Sequence, residues 1–162
     1  MHFWNLDPEG RPLLAMELAL ARDPLFRLST APILASAPGV HVAKPDFVKA
    51  VESGTAGAYG EKMIDKIARH TAASWGRTGH LSGRVFKMRR RVIPTPAVVA
   101  FAAFVGHCCG LRGEALLVSV FARLLDTPYE ALLVLAAEAH RLGFLSLRRT
   151  GGVMEISFSP LS

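Results

Sequence analysis

"AYGEKMIDKIARHTAASWGRTGHLSGRVFKMRRR", residues 58–91, changes its period halfway along. From Tyr59 to about Thr78 apolar side chains recur at helical spacing, with Ile64, Ala68, Thr71 and Trp75 along one face. At about 100° per residue, Lys62, Lys66, Arg69 and Arg77 fall together on the opposite face. Gly79 ends the helix, because glycine takes the left-handed conformation that closes a last turn. "HLSGRVFKMRRRVI" then reads as a strand, or as a ribbon bent at Gly83, with Val85 alternating against Phe86 and basic residues on the way out.

The same punctuation returns later in the chain. A shift of 64 residues sets "AASWGRTGHLSGR" (72–84) over "AAEAHRLGFLSLR" (136–148), pairing Arg77 with Arg141, Gly79 with Gly143 and Arg84 with Arg148. The identities are few and involve common residues, yet both segments say that a helix ends at glycine and an apolar residue starts a strand. Ahead of the first segment, "RPLLAMELALARD" predicts a helix over about 11–23, "STAPILASAPG" a short one stopped at Pro38-Gly39, and "KPDFVKAVESG" a third from about Pro45 to Gly54. Ahead of the second, Thr95-Pro96 predicts a cap and first turn for a helix reaching about Cys109, and "GEALLVSVFARLLD" predicts one further helix. Thr127-Pro128-Tyr129-Glu130 reads as a capping box opening a helix to about Leu142, and "FLSLRRTGGVMEISF" reads as a hairpin around Gly151-Gly152. The expected fold is mainly α with small β-hairpins: two tandem winged helix-turn-helix-like units, 1–93 and 94–162, joined near Pro94.

Charge narrows the function. The chain of 162 residues is 51% hydrophobic, enough for compact folding, and carries a net charge of +6. Between Asp65 and Glu114 it has no acidic residue at all, while Lys66, Arg69, Arg77, Arg84, Lys87, Arg89, Arg90, Arg91 and Arg112 lie in that interval. Such arrays bind phosphate backbones by releasing counterions. Lys62, Lys66, Arg69 and Arg77 are the candidates for a groove-facing helix, with Arg84, Lys87, Arg89, Arg90 and Arg91 on phosphates. Arg148 and Arg149 offer a smaller contact on the second hairpin. The competing reading is a solvated helix face beside a charged edge strand that resists aggregation. Duplex DNA is the expected partner; RNA, a larger protein complex docked on the apolar second unit, and a second copy of the chain are the others weighed.

Other classes find less support. Catalysis is not expected: there is no phosphate loop, no H-E-x-x-H and no nucleophile elbow. No cofactor is expected, and His107-Cys108-Cys109 reads as buried core packing, since consecutive helical residues point about 100° apart and do not converge on one metal ion. Adjacent cysteines fit a reducing, cytoplasmic setting, and "PAVVAFAAFVGHCCGL" is shorter than the roughly 20 residues of a membrane span. Trp75 falls on the apolar helix face and is expected in the core; Trp4 could dock on this protein or on a partner.

The stretch 58–91, a helix closing on glycine followed by an apolar pair and a basic strand, resembles the small BrxA-type proteins of bacterial BREX phage-defence systems. The likeness is one of pattern over roughly residues 57–160, and "MHFWNLDPEG" has no counterpart in it. It implies a helical, winged-helix, nucleic-acid-binding accessory protein with Lys62, Lys66, Arg69 and Arg77 on the matching helix.

Overall fold

A computed structural model describes residues 2–158. In chain order the elements are α1 (His2–Leu6), α2 (Arg11–Arg22), α3 (Pro24–Leu28), α4 (Thr30–Ala35), α5 (Lys44–Thr55), α6 (Glu61–Arg77), β1 (Leu81–Ser82), β2 (Met88–Arg89), α7 (Pro96–Cys108), α8 (Ala115–Val118), α9 (Val120–Arg123), α10 (Tyr129–Arg141), β3 (Ser146–Thr150) and β4 (Val153–Ser157). The fold is mainly helical, with two small antiparallel hairpins. Two compact units divide it: Ala19–Val92, and Met1–Leu18 together with Ile93–Ser162.

These units differ from the expected 1–93 and 94–162 in the first eighteen residues, which group with the C-terminal half. Aromatic packing accounts for that. Phe3 is buried, with its ring centroid 5.4 Å from that of Phe101 and 5.5 Å from that of Phe144. Thr95, the N-cap of α7, donates its hydroxyl to the Asp7 carboxylate while accepting from Val98 N at 3.2 Å. Gly10 packs so closely there that a Cβ would fall 2.0 Å from Asp7 Oδ2 and 2.7 Å from Val98 Cγ2.

In the Ala19–Val92 unit, α6 supplies the central side chain. Trp75 is fully buried, stacks on Phe26 at 4.6 Å, and donates its indole N–H to Ser29 Oγ at 2.7 Å. Burying the ring without that partner would leave an unmet donor, a cost of about 1–3 kcal/mol. Phe47 and Val51 of α5, Ile33 of α4 and Ala68 of α6 are buried as well. Asp23 both ends α2 and caps α3, its carboxylate accepting from Leu25 N and Phe26 N at 2.9 and 3.1 Å.

The strands of this unit have a third member. Leu81 pairs with Arg89 and Ser82 with Met88, so β1 and β2 form a ribbon bent at Gly83, one of the two forms expected. Met88 also bridges His41, from the segment between α4 and α5. Around it Gly39 N donates to Arg89 O (2.8 Å), Arg89 N to Val40 O (2.8 Å) and Val42 N to Lys87 O (3.0 Å). β2 therefore lies between β1 and the 39–42 segment.

The other unit departs from expectation twice. Residues 113–126 are not one helix: the chain breaks at Ser119, extended at φ −66° and ψ 166°, whose hydroxyl caps α9 by accepting from Ala122 N at 3.3 Å. Serine competes for backbone groups, and Val118 and Val120 on either side are weak helix formers. The capping box at Thr127 does not form either. Pro128 is the N-cap of α10, and Thr127 turns back to donate to Leu125 O at 2.8 Å. The hairpin is as expected: β3 and β4 pair from Ser146↔Ser157 to Thr150↔Val153, around Gly151 and Gly152 at φ 59° and 80°.

The 64-residue echo has a structural counterpart. Gly79 and Gly143, at φ 90° and 81°, each follow the last turn of a long helix, and Leu81 and Leu145 are both buried where the strands begin. A polypeptide leaving such a helix must reverse within one residue, and glycine does so without Cβ strain.

Candidate nucleic-acid interface

α6 separates its faces as the spacing requires. Ile64, Ala68, Thr71, Ala72 and Trp75 are buried, whereas Lys62, Lys66, Arg69 and Arg77 are all exposed. His70, Ala73 and Gly76 are exposed among them. Of these, Ala73 and Gly76 are small, so the long basic side chains stand clear of the helix surface between them. The two acids of this helix do not cancel the array. Glu61 sits in the first turn, where the helix dipole favours it, and Asp65 is held in an ion pair by Lys44 of α5.

The ribbon after α6 splits the expected phosphate contacts in two. Arg84, Arg90 and Arg91 are exposed and Lys87 is half-buried. The Arg90 guanidinium Nε donates to Ser82 Oγ across the ribbon at 2.8 Å. Arg89 is a correction: its side chain is 2% exposed and turned inward. Its Nε donates to Ile33 O at 3.1 Å and its terminal nitrogen to Arg90 O. A guanidinium buried on carbonyls that close α4 and continue β2 is a structural tie, with no reach to a phosphate.

At its tip the ribbon carries features that charge reasoning passed over. Val85 is 94% exposed and Phe86 61% exposed. The Phe86 ring stacks on His41 at 3.8 Å with an interplanar angle of 2°. Gly83 takes φ 96°, and a Cβ there would fall 2.1 Å from Phe86 O, so the bend requires glycine. The sequence signal was the adjacent pair Val85-Phe86 beside a glycine inside a basic run.

The second unit presents a different surface. Arg148 and Arg149 are exposed on β3, but Arg148 is in register with Glu155 of β4. Arg141 on α10 is paired to Glu138, at 3.0 Å from Nε to Oε2, and this guanidinium holds the Glu138 carboxyl below its ordinary value. The outward positions of α10 include Ala131, Ala137 and Val134, the last 69% exposed.

Two further readings meet the structure here. Cys108 and Cys109 are exposed free thiols at the end of α7, a correction to the expected core packing: Val105 and Gly106 are the last buried residues of the helix, and the two cysteines lie beyond them at its exposed end. The His107 ring lies against Phe158, at 5.2 Å between ring centroids. Among the described residues no three His, Cys, Asp or Glu side chains gather as a metal set, and no helix is long and apolar enough to cross a membrane. Trp4 is 43% exposed, with Arg11 over its ring at 5.4 Å. No protein-family model matches the chain, and no curated protein or solved structure does.

Proposed function

We propose that the chain is a non-enzymatic, duplex-DNA-binding protein whose Ala19–Val92 unit is a winged helix-turn-helix with α6 as its groove-facing helix. The order α4, segment 39–42, α5, α6, β1, β2, with β2 between the other two strands, supports that reading. The observation that carries it is the exposed row Lys62, Lys66, Arg69 and Arg77 on the one helix that runs directly into the ribbon. A helix of this diameter fits the major groove, and cations on the following ribbon can reach the flanking phosphates. In this reading binding is sequence-tolerant and dominated by phosphate contacts. The resemblance to BrxA-type proteins alone suggests phage defence as the setting.

A second reading, an adaptor within a larger complex, is favoured by Val118, Val134 and Val153, exposed by 54%, 69% and 70% in the other unit. Fluorescence anisotropy with labelled duplex DNA over a salt series separates the two. DNA binding gives an affinity that falls log-linearly with salt, and unlabelled duplex RNA competes less well than duplex DNA. Absence of binding at low salt, with stable capture of one protein partner, would replace it by the adaptor.

A further inference from the structure

We infer that the ribbon tip, Arg84-Val85-Phe86, is an apolar wedge that enters the minor groove and opens a base step, so that the protein bends the DNA it binds. The inference rests on the DNA-binding reading above and adds a mechanical action to it. Hairpin tips that only reverse the chain use glycine, asparagine or aspartate, and the tip of the second hairpin, Gly151-Gly152, is of that kind. The tip between β1 and β2 instead offers Val85, 94% exposed, and Phe86, 61% exposed, to water. It does so from a braced position. Gly83 fixes the bend at φ 96°, Phe86 lies flat on His41 at 3.8 Å, and Lys87 Nζ reaches Gly83 O at 3.5 Å. Bracing lowers the ordering cost of using the tip as a contact.

Charge identifies the occupant. Arg84, exposed, and Lys87, half-exposed, flank those two apolar side chains in the chain, Arg90 and Arg91 stand exposed at the base of the same ribbon, and the sequence from Asp65 to Glu114 holds no other acid between them. An apolar tip on an acid-free basic ribbon complements a polyanion with an apolar interior, which is what a stacked duplex is. With α6 in the major groove, a ribbon emerging from its C-terminal end crosses a phosphate strand and meets the adjacent minor groove. Arginines favour that groove, and apolar side chains of this size are the ones that unstack a step from it.

End-to-end energy transfer on a doubly dye-labelled duplex, with occupancy measured by anisotropy in the same sample, tests the inference. At saturation the wild type shortens the end-to-end distance. Val85→Ser, altering a side chain that touches almost nothing, keeps its melting temperature and binds within about threefold of wild type, but leaves the duplex straight. Val85→Leu retains the bend. Saturated DNA that stays straight with wild type, or bends equally with Val85→Ser, overturns the wedge while leaving DNA binding intact. Failure of wild type to occupy DNA at low salt overturns both.

Discussion

α6 and α10 occupy corresponding places in the two units, each ending at a glycine and running into a hairpin, yet they present opposite chemistry. The Ala19–Val92 unit holds thirteen of the nineteen Lys and Arg residues and five of the thirteen Asp and Glu, a net +8. The other unit, with the remaining six and eight, is at −2. On α6 the cations stand exposed in a row, while on α10 the one arginine is tied to Glu138 and the outward residues are Ala131, Val134 and Ala137 together with Glu130 and His140. The hairpins repeat the difference, a charged and apolar tip on one and two glycines on the other. The same helix, glycine and hairpin ending thus carries two surfaces, one basic and one largely apolar.

Arg89 and Arg90 offer the sharpest break within the basic unit, and the largest expected effect on stability. Replacing the buried Arg89 by Met removes the guanidinium that donates to Ile33 O and Arg90 O, and urea denaturation should show a loss of about 2–4 kcal/mol. Arg90→Met, one residue on and exposed, should stay within about 0.5 kcal/mol of wild type and instead lower the salt slope of DNA binding by about one. Comparable destabilisation by both would mean that Arg89 is no tie.

Next in size is the pair Ser29→Ala and Ser119→Ala. Ser29 accepts the buried Trp75 N–H, so its loss should cost about 1–3 kcal/mol, whereas Ser119 only caps a single turn and should cost about 1 kcal/mol or less. Thermal melts rank the two, and the reverse order would shift the tighter core to the other unit.

Glu17 gives a smaller, pH-dependent effect. Its carboxyl is fully buried, neither oxygen has a hydrogen-bond partner among the described residues, and burial pushes its pKa well above the ordinary value. The folded chain therefore keeps a proton that the unfolded chain releases from about pH 4.3 upward, and stability falls as pH rises from there through the raised value. Glu17→Gln should flatten that decline and raise Tm by a few degrees at about pH 8, with little change at about pH 4. An unchanged Tm–pH profile would contradict a buried neutral acid.

The sequence made some of this legible and hid the rest for physical reasons. Trp75, Ile64 and Ala68 were readable because seventeen residues of α6 repeat their period several times over. Arg89 was not, because a strand of two residues shows no alternation and three consecutive arginines look alike. The role of His41 depends on pairing with Met88, 47 positions away, which no local pattern encodes. The same holds for Phe3, whose partners Phe101 and Phe144 lie far along the chain. At Thr127 a motif was present, but Pro128 took the cap position and the threonine side chain found a nearer carbonyl. The end of α7 near Cys109 was readable, but the exposure of Cys108 and Cys109 was not, because which residues of a helix end the core covers is set by tertiary packing that no local pattern encodes.

The central claim, that one unit meets nucleic acid and the other does not, is tested most directly by matched charge reversals. Anisotropy titrations of duplex DNA over a salt series would compare wild type with Lys66→Glu/Arg69→Glu on α6 and with Arg148→Glu/Arg149→Glu on β3, each checked for an unchanged fold by circular dichroism. The account predicts a loss of about 100-fold or more and a salt slope lower by about two for the α6 pair, against less than about threefold for the β3 pair. Equal losses, or a larger one from β3, would contradict it.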